Sequence, residues 1–140
     1  MPPPPFKMLG LDHVVLRVGD MDRARDFYVD VLGCSIAHEQ PALGLLHLRA
    51  GQSLIDLISI SGPLGQRGGA APGPEARNVD HFAIAIAPFD EEAMRAHLAT
   101  HGVAIIESGP RFGAGGSGPS LYIKDLDGNI VELKGPGSSG

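Results

Sequence analysis

Residues 11–18 read Leu-Asp-His-Val-Val-Leu-Arg-Val, and residues 79–86 read Val-Asp-His-Phe-Ala-Ile-Ala-Ile. Each copy opens on Asp-His and continues as an apolar, strand-like run. After each come a polar turn, a helical stretch and a glycine, Gly33 in the first half and Gly102 in the second. Each half closes on an acid before a leucine, Asp56-Leu57 and Glu132-Leu133. A repeat of this length restricts the chain to two copies of one small unit. With 140 residues they form one domain's worth of chain, two modules sharing a core. One imidazole and one carboxylate per copy can together make a four-ligand metal site.

The pattern predicts an arm over residues 1–10, a first module over 11–61 and a Gly/Pro-rich connector over 62–78. A second module over 79–134 and a tail over 135–140 follow. The polyproline arm and the Gly/Ser tail are expected to be disordered. Module one reads as a strand over 11–18 and a helix over 21–32 capped by Asp20 and ended by Gly33. Strands over 35–39, 44–50 and 53–59 follow, the last two joined by a tight turn at Gly51-Gln52. Module two repeats the plan with a strand over 79–87, a helix ended by Gly102 and a strand over 103–107. Then come a glycine-rich loop over 109–119 and strands over 120–124 and 129–134. The expected class is α+β: two βαβββ units with curled mixed sheets around a central cavity.

Side chains two apart along a strand share a face. His13, Val15 and Arg17 oppose Val14, Leu16 and Val18; His81, Ala83 and Ala85 oppose Phe82, Ile84 and Ile86. Ser120 and Tyr122 oppose Leu121 and Ile123, and Ile130 and Glu132 oppose Val131 and Leu133. One face of every strand is bulky and apolar and suits helix packing. The other carries the histidines, the acid, the arginine and small residues, as the lining of a cavity would.

A formal charge of −5 argues against a nucleic-acid or anionic-membrane partner, each of which needs clustered Lys and Arg. A single cysteine, Cys34, rules out an internal disulfide framework and fits a reducing compartment. No apolar run is long enough to span a bilayer, so a cytoplasmic protein is expected.

A histidine in a strand is more often a hydrogen-bonded structural residue than a ligand. Recurrence at equivalent positions, each with an acid at the end of its own module, points instead to a divalent metal held by His13, Asp56, His81 and Glu132. Imidazole and carboxylate suit zinc, nickel, cobalt, manganese or iron(II). Asp56 is one methylene shorter than Glu132 and can fall short of the ion, leaving two histidines and one carboxylate. His97 and His101 lie four apart on a helix, but no acid accompanies them, and a solvated face is expected. His38 and His47 have no partner legible in the sequence. Cys34 reads as a small buried residue. The glycines over 113–118 lack the Lys-Ser or Lys-Thr of a phosphate loop and read as a mobile loop over a site. Arg17, a cation on the cavity face, calls for an anionic partner, a protein carboxylate or an acidic substrate.

The stretch His-Val-Val-Leu-Arg-Val-Gly-Asp-Met-Asp-Arg-Ala-Arg-Asp-Phe-Tyr-Val-Asp-Val-Leu-Gly over 13–33 strongly resembles the opening of glyoxalase I. Asp-Leu-Asp-Gly-Asn-Ile-Val-Glu-Leu over 125–133 resembles the closing turn and terminal ligand of the vicinal oxygen chelate superfamily, with Leu126 where proline is usual. That superfamily also holds fosfomycin thiol transferases, extradiol dioxygenases and bleomycin-resistance proteins. The resemblance implies paired βαβββ modules curled around one metal ion and often completed across a homodimer. It implies His13, Asp56, His81 and Glu132 as the ligands and Arg17 as a contact to the glutathione part of a substrate. Ile60 stands where glyoxalase I has an asparagine that helps bind glutathione, and Ser117-Gly118-Pro119-Ser120 lacks the acidic member of the transferases' potassium loop.

Four functions follow from these readings. The leading one is a metal-dependent lyase or isomerase of the lactoylglutathione lyase type. Its metal would hold adjacent oxygens of a small substrate, with glutathione as a cosubstrate. Glu132 and Asp56 would be the catalytic carboxylates, the enediolate passing its proton through Glu132, while Arg17, Ser120 and Tyr122 bind substrate. The others are a vicinal-diol dioxygenase using His13, His81 and Glu132, a metal-dependent thiol transferase, and a binding protein that sequesters a drug or metabolite without metal.

Overall fold

Alternation, caps and tight turns account for most of the observed elements. The computed structural model describes residues 3–138. In chain order they form β1 (His13–Val18), α1 (Met21–Asp26), β2 (Ser35–Gln40), β3 (Leu45–Ala50) and β4 (Ser53–Ser59). The second half follows as β5 (Phe82–Ala85), α2 (Glu91–Thr100), β6 (Ile105–Gly113), β7 (Gly116–Lys124) and β8 (Ile130–Lys134). Each half is a four-stranded mixed sheet, ordered β1-β4-β3-β2 and β5-β8-β7-β6. In each, the first strand lies parallel to the last, with the crossover helix between them. The fold is α+β, as the repeat predicts.

Both helices start the same way. Asp20 accepts from the Arg23 amide at 3.1 Å and Asp90 from the Ala93 amide at 3.1 Å, each satisfying one donor of the first turn. Past α1 the chain continues as a π-helical segment, Phe27–Val31, and Gly33 turns it out of the helix at φ 82°. That conformation costs a residue with a Cβ and suits glycine.

The apolar strand faces do what their alternation requires. Leu16, Val18, Leu48, Ile55 and Leu57 of the first sheet join Leu121, Ile123, Val131 and Leu133 of the second in one buried cluster with Phe27, Tyr28 and Leu98. Complete burial of such a side chain is worth about 1.5–3 kcal/mol. Cys34 is buried with them, and burial raises its thiol pKa. A polar joint also ties the halves. Tyr28 donates to Asp125 at 2.7 Å, Asp125 accepts from Asn129 Nδ2 at 2.7 Å, and Asn78 donates to Asn129 at 3.0 Å and to the Arg17 carbonyl at 3.0 Å. Burial first, and then the Asp125 charge, hold the Tyr28 phenol well above its ordinary pKa, so it stays a neutral donor.

The strand expected over 79–87 is shorter, Phe82–Ala85, so His81 stands just ahead of it, and two further segments differ from expectation. The glycine-rich stretch over 109–119 is a long hairpin, not a loop: β6 and β7 pair from Glu107 and Tyr122 out to Gly113 and Gly116. Gly109 and Gly116 supply its positive φ angles, 150° and 100°, so backbone pairing survives the composition. The tail is also partly ordered by pairing. The Gly135 amide donates to the Pro119 carbonyl at 2.7 Å and the Ser138 amide to Ser117 at 2.8 Å, while residues 139–140 lie outside the described residues. Residues 3–10 of the arm carry no helix or strand, and residues 1–2 lie outside the description. Among the described residues no helix is long and apolar enough to cross a membrane.

Candidate metal centre

In the first sheet His13 heads β1 and Asp56 sits on β4 opposite Val15, one row along on the same face. His13 Nε2 lies 3.8 Å from Asp56 Oδ2. The other ring nitrogen, Nδ1, lies 2.8 Å from Asp12 Oδ2. That hydrogen bond, and next the Asp56 charge, raise the His13 pKa. The second sheet repeats the geometry. His81 Nε2 lies 3.3 Å from Glu132 Oε1, and Nδ1 lies 2.7 Å from Asp80 Oδ2. The His81 hydrogen bond, aided by Arg77, lowers the Asp80 pKa. In both halves an Asp holding Nδ1–H leaves the Nε2 lone pair facing a carboxylate. A carboxylate–histidine pair of this kind orients metal-ligating imidazoles.

Asp12 and Asp80 are not among the residues predicted for the site; their recurrence directly before each histidine is the sequence signal that marks them. His47 is a third residue that sequence reasoning missed. The two-residue turn at Gly51-Gln52 sets the β3–β4 register and puts His47 directly opposite Asp56. His47 Nδ1 lies 2.9 Å from Asp56 Oδ1, and Nε2 lies 2.9 Å from Gln40 Nε2. An Nδ1–H tautomer satisfies both contacts: it donates to Asp56 and accepts from Gln40. His38 stacks next to His47, with ring centroids 5.6 Å apart.

Around Glu132 the neighbours differ. Ser120, buried, donates to Glu132 Oε2 at 2.6 Å. Tyr122 lies opposite Glu132 and meets the His81 ring edge-on at 5.7 Å. Its phenol pKa is raised by desolvation first and then by Glu132, with Arg111 opposing. Arg111 lies 5.4 Å from the Tyr122 ring centre and pairs with Glu107.

Arg17 does reach the polar face, but carbonyls surround its guanidinium. It donates to Gly65 at 3.1 Å, Gly69 at 2.6 Å and Ala70 at 3.0 Å, which draws the connector onto the sheet. Its buried Nε has no partner among the described residues. A Cβ on Gly68 would stand 2.4 Å from that nitrogen, so only glycine lets the connector approach this closely. The His97 and His101 rings meet edge-on at 4.8 Å, and His97 Nε2 donates to the Val31 carbonyl at 2.7 Å, joining the two helical regions.

The pairs His13/Asp56 and His81/Glu132 lie on separate sheets. Among the described residues no group of three or more His, Cys, Asp or Glu side chains is placed to hold one ion.

Residues 10–133 match the family model of the Glyoxalase/Bleomycin resistance protein/Dioxygenase superfamily. The chain belongs to that superfamily. It is 34% identical over 128 residues to a glyoxalase domain-containing protein, RDO1, of Mycosarcoma maydis; the match covers 88% of this chain and 66% of that protein, just under two thirds of its length. It is 31% identical over 126 residues to the virulence protein STM3117 of Salmonella typhimurium, covering 88% of this chain and 81% of the relative. The crystal structure of that protein superimposes with a TM-score of 0.76 at 25% identity over 94% of this chain and 99% of the other. A mutant of a fosfomycin resistance protein, FosX, from Listeria monocytogenes, solved with Mn(II) and 1S,2S-dihydroxypropylphosphonic acid, shares the fold with a TM-score of 0.68 at 19% identity, covering 95% of this chain and 94% of that one. The superfamily therefore spans several chemistries on one scaffold, and the reaction must be argued from the site.

Proposed function

We propose that the chain is a metal-dependent, glyoxalase-like lyase or isomerase acting on a small oxygenated substrate, by a reaction of the lactoylglutathione lyase type. One observation carries this reading: each module points a His Nε2 at a carboxylate, 3.8 Å away in one and 3.3 Å in the other, while an Asp holds the opposite ring nitrogen. Neutral imidazole and carboxylate are the donors a divalent first-row ion takes. His13, His81 and Glu132 would hold it, with Asp56 as fourth donor. A bound ion supplies Lewis acidity towards adjacent substrate oxygens.

The chain's own residues supply the proton transfer. Glu132 Oε1 is the base that removes a proton from substrate carbon and returns it to the neighbouring carbon. Ser120 Oγ, donating to Oε2, keeps the carboxylate turned so that Oε1 faces His81. Tyr122, next to His81 and Glu132, borders the substrate's oxygens. Arg17 takes an acidic substrate group if the connector carbonyls give way, with glutathione as the thiol that forms the adduct.

Because the two pairs do not converge within the described residues of one chain, we assign the complete site to a homodimer. His13/Asp56 of one copy would meet the second pair of its partner. The test mixes two inactive variants, His13→Ala/Asp56→Ala and His81→Ala/Glu132→Ala, after unfolding and refolding together. In a shared-site dimer, each mixed dimer regains one intact site, so metal content and turnover return from zero to about a quarter of the unmutated level. Sites contained within single chains would stay empty in every combination. Absence of metal in the unmutated protein, even after reconstitution, would overturn the enzymatic reading. Oxygen uptake with catechols, without isomerisation of thiol adducts, would redirect it to dioxygenation.

A further inference from the structure

Lys134 is the last residue of β8, two beyond Glu132 and on the same face. It is buried, at 8% exposure. Its ammonium donates to the Gly116 carbonyl at 3.2 Å and the Gly135 carbonyl at 3.3 Å. An ammonium has three donors, so one remains. Among the described residues no carboxylate stands within ion-pair reach of Nζ. Burying a cation without a counter-charge is costly.

The register gives this cation a counterpart. In the first sheet Asp56 lies opposite Val15, and one row on, Ile58 lies opposite Arg17. In the second sheet Glu132 lies opposite Ala83, and one row on, Lys134 lies opposite Ala85. Each half therefore carries one cation in the same row beyond its acid, on the first strand in one module and on the last strand in the other. Glycines make room for the second cation. A Cβ on Gly113 would stand 2.9 Å from Lys134 Cε, and one on Gly118 would stand 3.0 Å from Nζ. Next to it, Ser120 links the Lys134 row to Glu132, lying opposite the lysine and bonding the carboxylate.

We propose that Lys134 receives an anionic tail of the substrate, so that the molecule engages the Glu132 centre with its oxygen pair and reaches along β7 with a carboxylate or similar anion. This names a substrate class and rests on the reading above. The free N–H of Lys134 is the donor, and the incoming anion supplies the missing counter-charge. Arg17 is the poorer anchor because three of its N–H groups already serve the connector.

The test compares 2-hydroxyadipate with 2-hydroxyhexanoate, which have the same chain length and the same chelating head but differ in the terminal carboxylate. Binding is measured by calorimetry at constant ionic strength on the full chain, both manganese-loaded and metal-free. The expected result is a preference of about tenfold or more for the adipate. Lys134→Met should abolish the preference, Lys134→Arg should retain most of it, and metal content should stay unchanged. Equal affinity for the two ligands in both forms overturns the proposal. So does a preference removed by Arg17→Met but not by Lys134→Met. A failure to bind manganese overturns the metal reading alone, because a Lys134-dependent preference in the metal-free protein would still stand. If Lys134→Met fails to fold, the ε-carbon NMR resonance of Lys134 in the unmutated protein, assigned by its absence from Lys134→Arg, should move on addition of 2-hydroxyadipate and not of 2-hydroxyhexanoate; an equal response to both ligands counts against the site.

Discussion

The two half-sites share a plan and differ in how their acid is held. Asp56 is short, sits 3.8 Å from its histidine and is already engaged by His47 at 2.9 Å. Glu132 is one methylene longer, lies 3.3 Å from its histidine and takes a hydrogen bond from a neutral hydroxyl. An imidazole that donates to a carboxylate competes with whatever else that carboxylate might bind; a serine can turn aside at little cost. The second half therefore has the acid better suited to bind and exchange protons, and the first has one anchored in its own sheet.

The largest effect that would sharpen this contrast is in metal affinity. His81→Ala or Glu132→Ala should weaken manganese or zinc binding by about a hundredfold or more, whereas Asp56→Ala should cost about tenfold. Titration with a competing chelator measures both, and equal losses would erase the asymmetry. The orienting aspartates should come next. Asp80→Asn and Asp12→Asn should each lower affinity about 10-fold or more, with the fold intact by circular dichroism. If neither matters, the Nδ1 contacts are incidental. The smallest effect concerns stability. His47→Ala leaves buried Asp56 without its main donor and should cost about 1–3 kcal/mol in urea unfolding, while Ser120→Ala should cost about 1 kcal/mol. The opposite order would show that Glu132, not Asp56, depends more on its sheet neighbour.

Much of the scaffold was legible because its signals are local. Period-two alternation assigned faces, and Asp20, Gly33 and Gly102 marked helix ends. The same reasoning extended two residues beyond Glu132 would have put Lys134 on the polar face, and the Gly51-Gln52 turn would have put His47 against Asp56. Composition misled over 109–119, where glycines read as a loop and the structure has a hairpin. Backbone hydrogen bonds do not depend on side-chain bulk, and glycine tolerates the positive φ angles that the ladder demands there.

Arg17 marks the boundary of that legibility. Its position on the polar face followed from residue spacing, but its partners are carbonyls of a connector about fifty residues away. By itself the sequence determined two like modules and the shared polar strand faces on which their histidines and acids lie. Only the tertiary structure decided that Arg17 clasps the connector, that Lys134 is buried with no carboxylate beside it among the described residues, and that the two His–acid pairs lie on different sheets. The first set depends on neighbours along one strand or across one tight turn, where covalent geometry leaves few choices. The second depends on how distant segments pack, and that is settled by the sum of many weak contacts that no short stretch of sequence encodes.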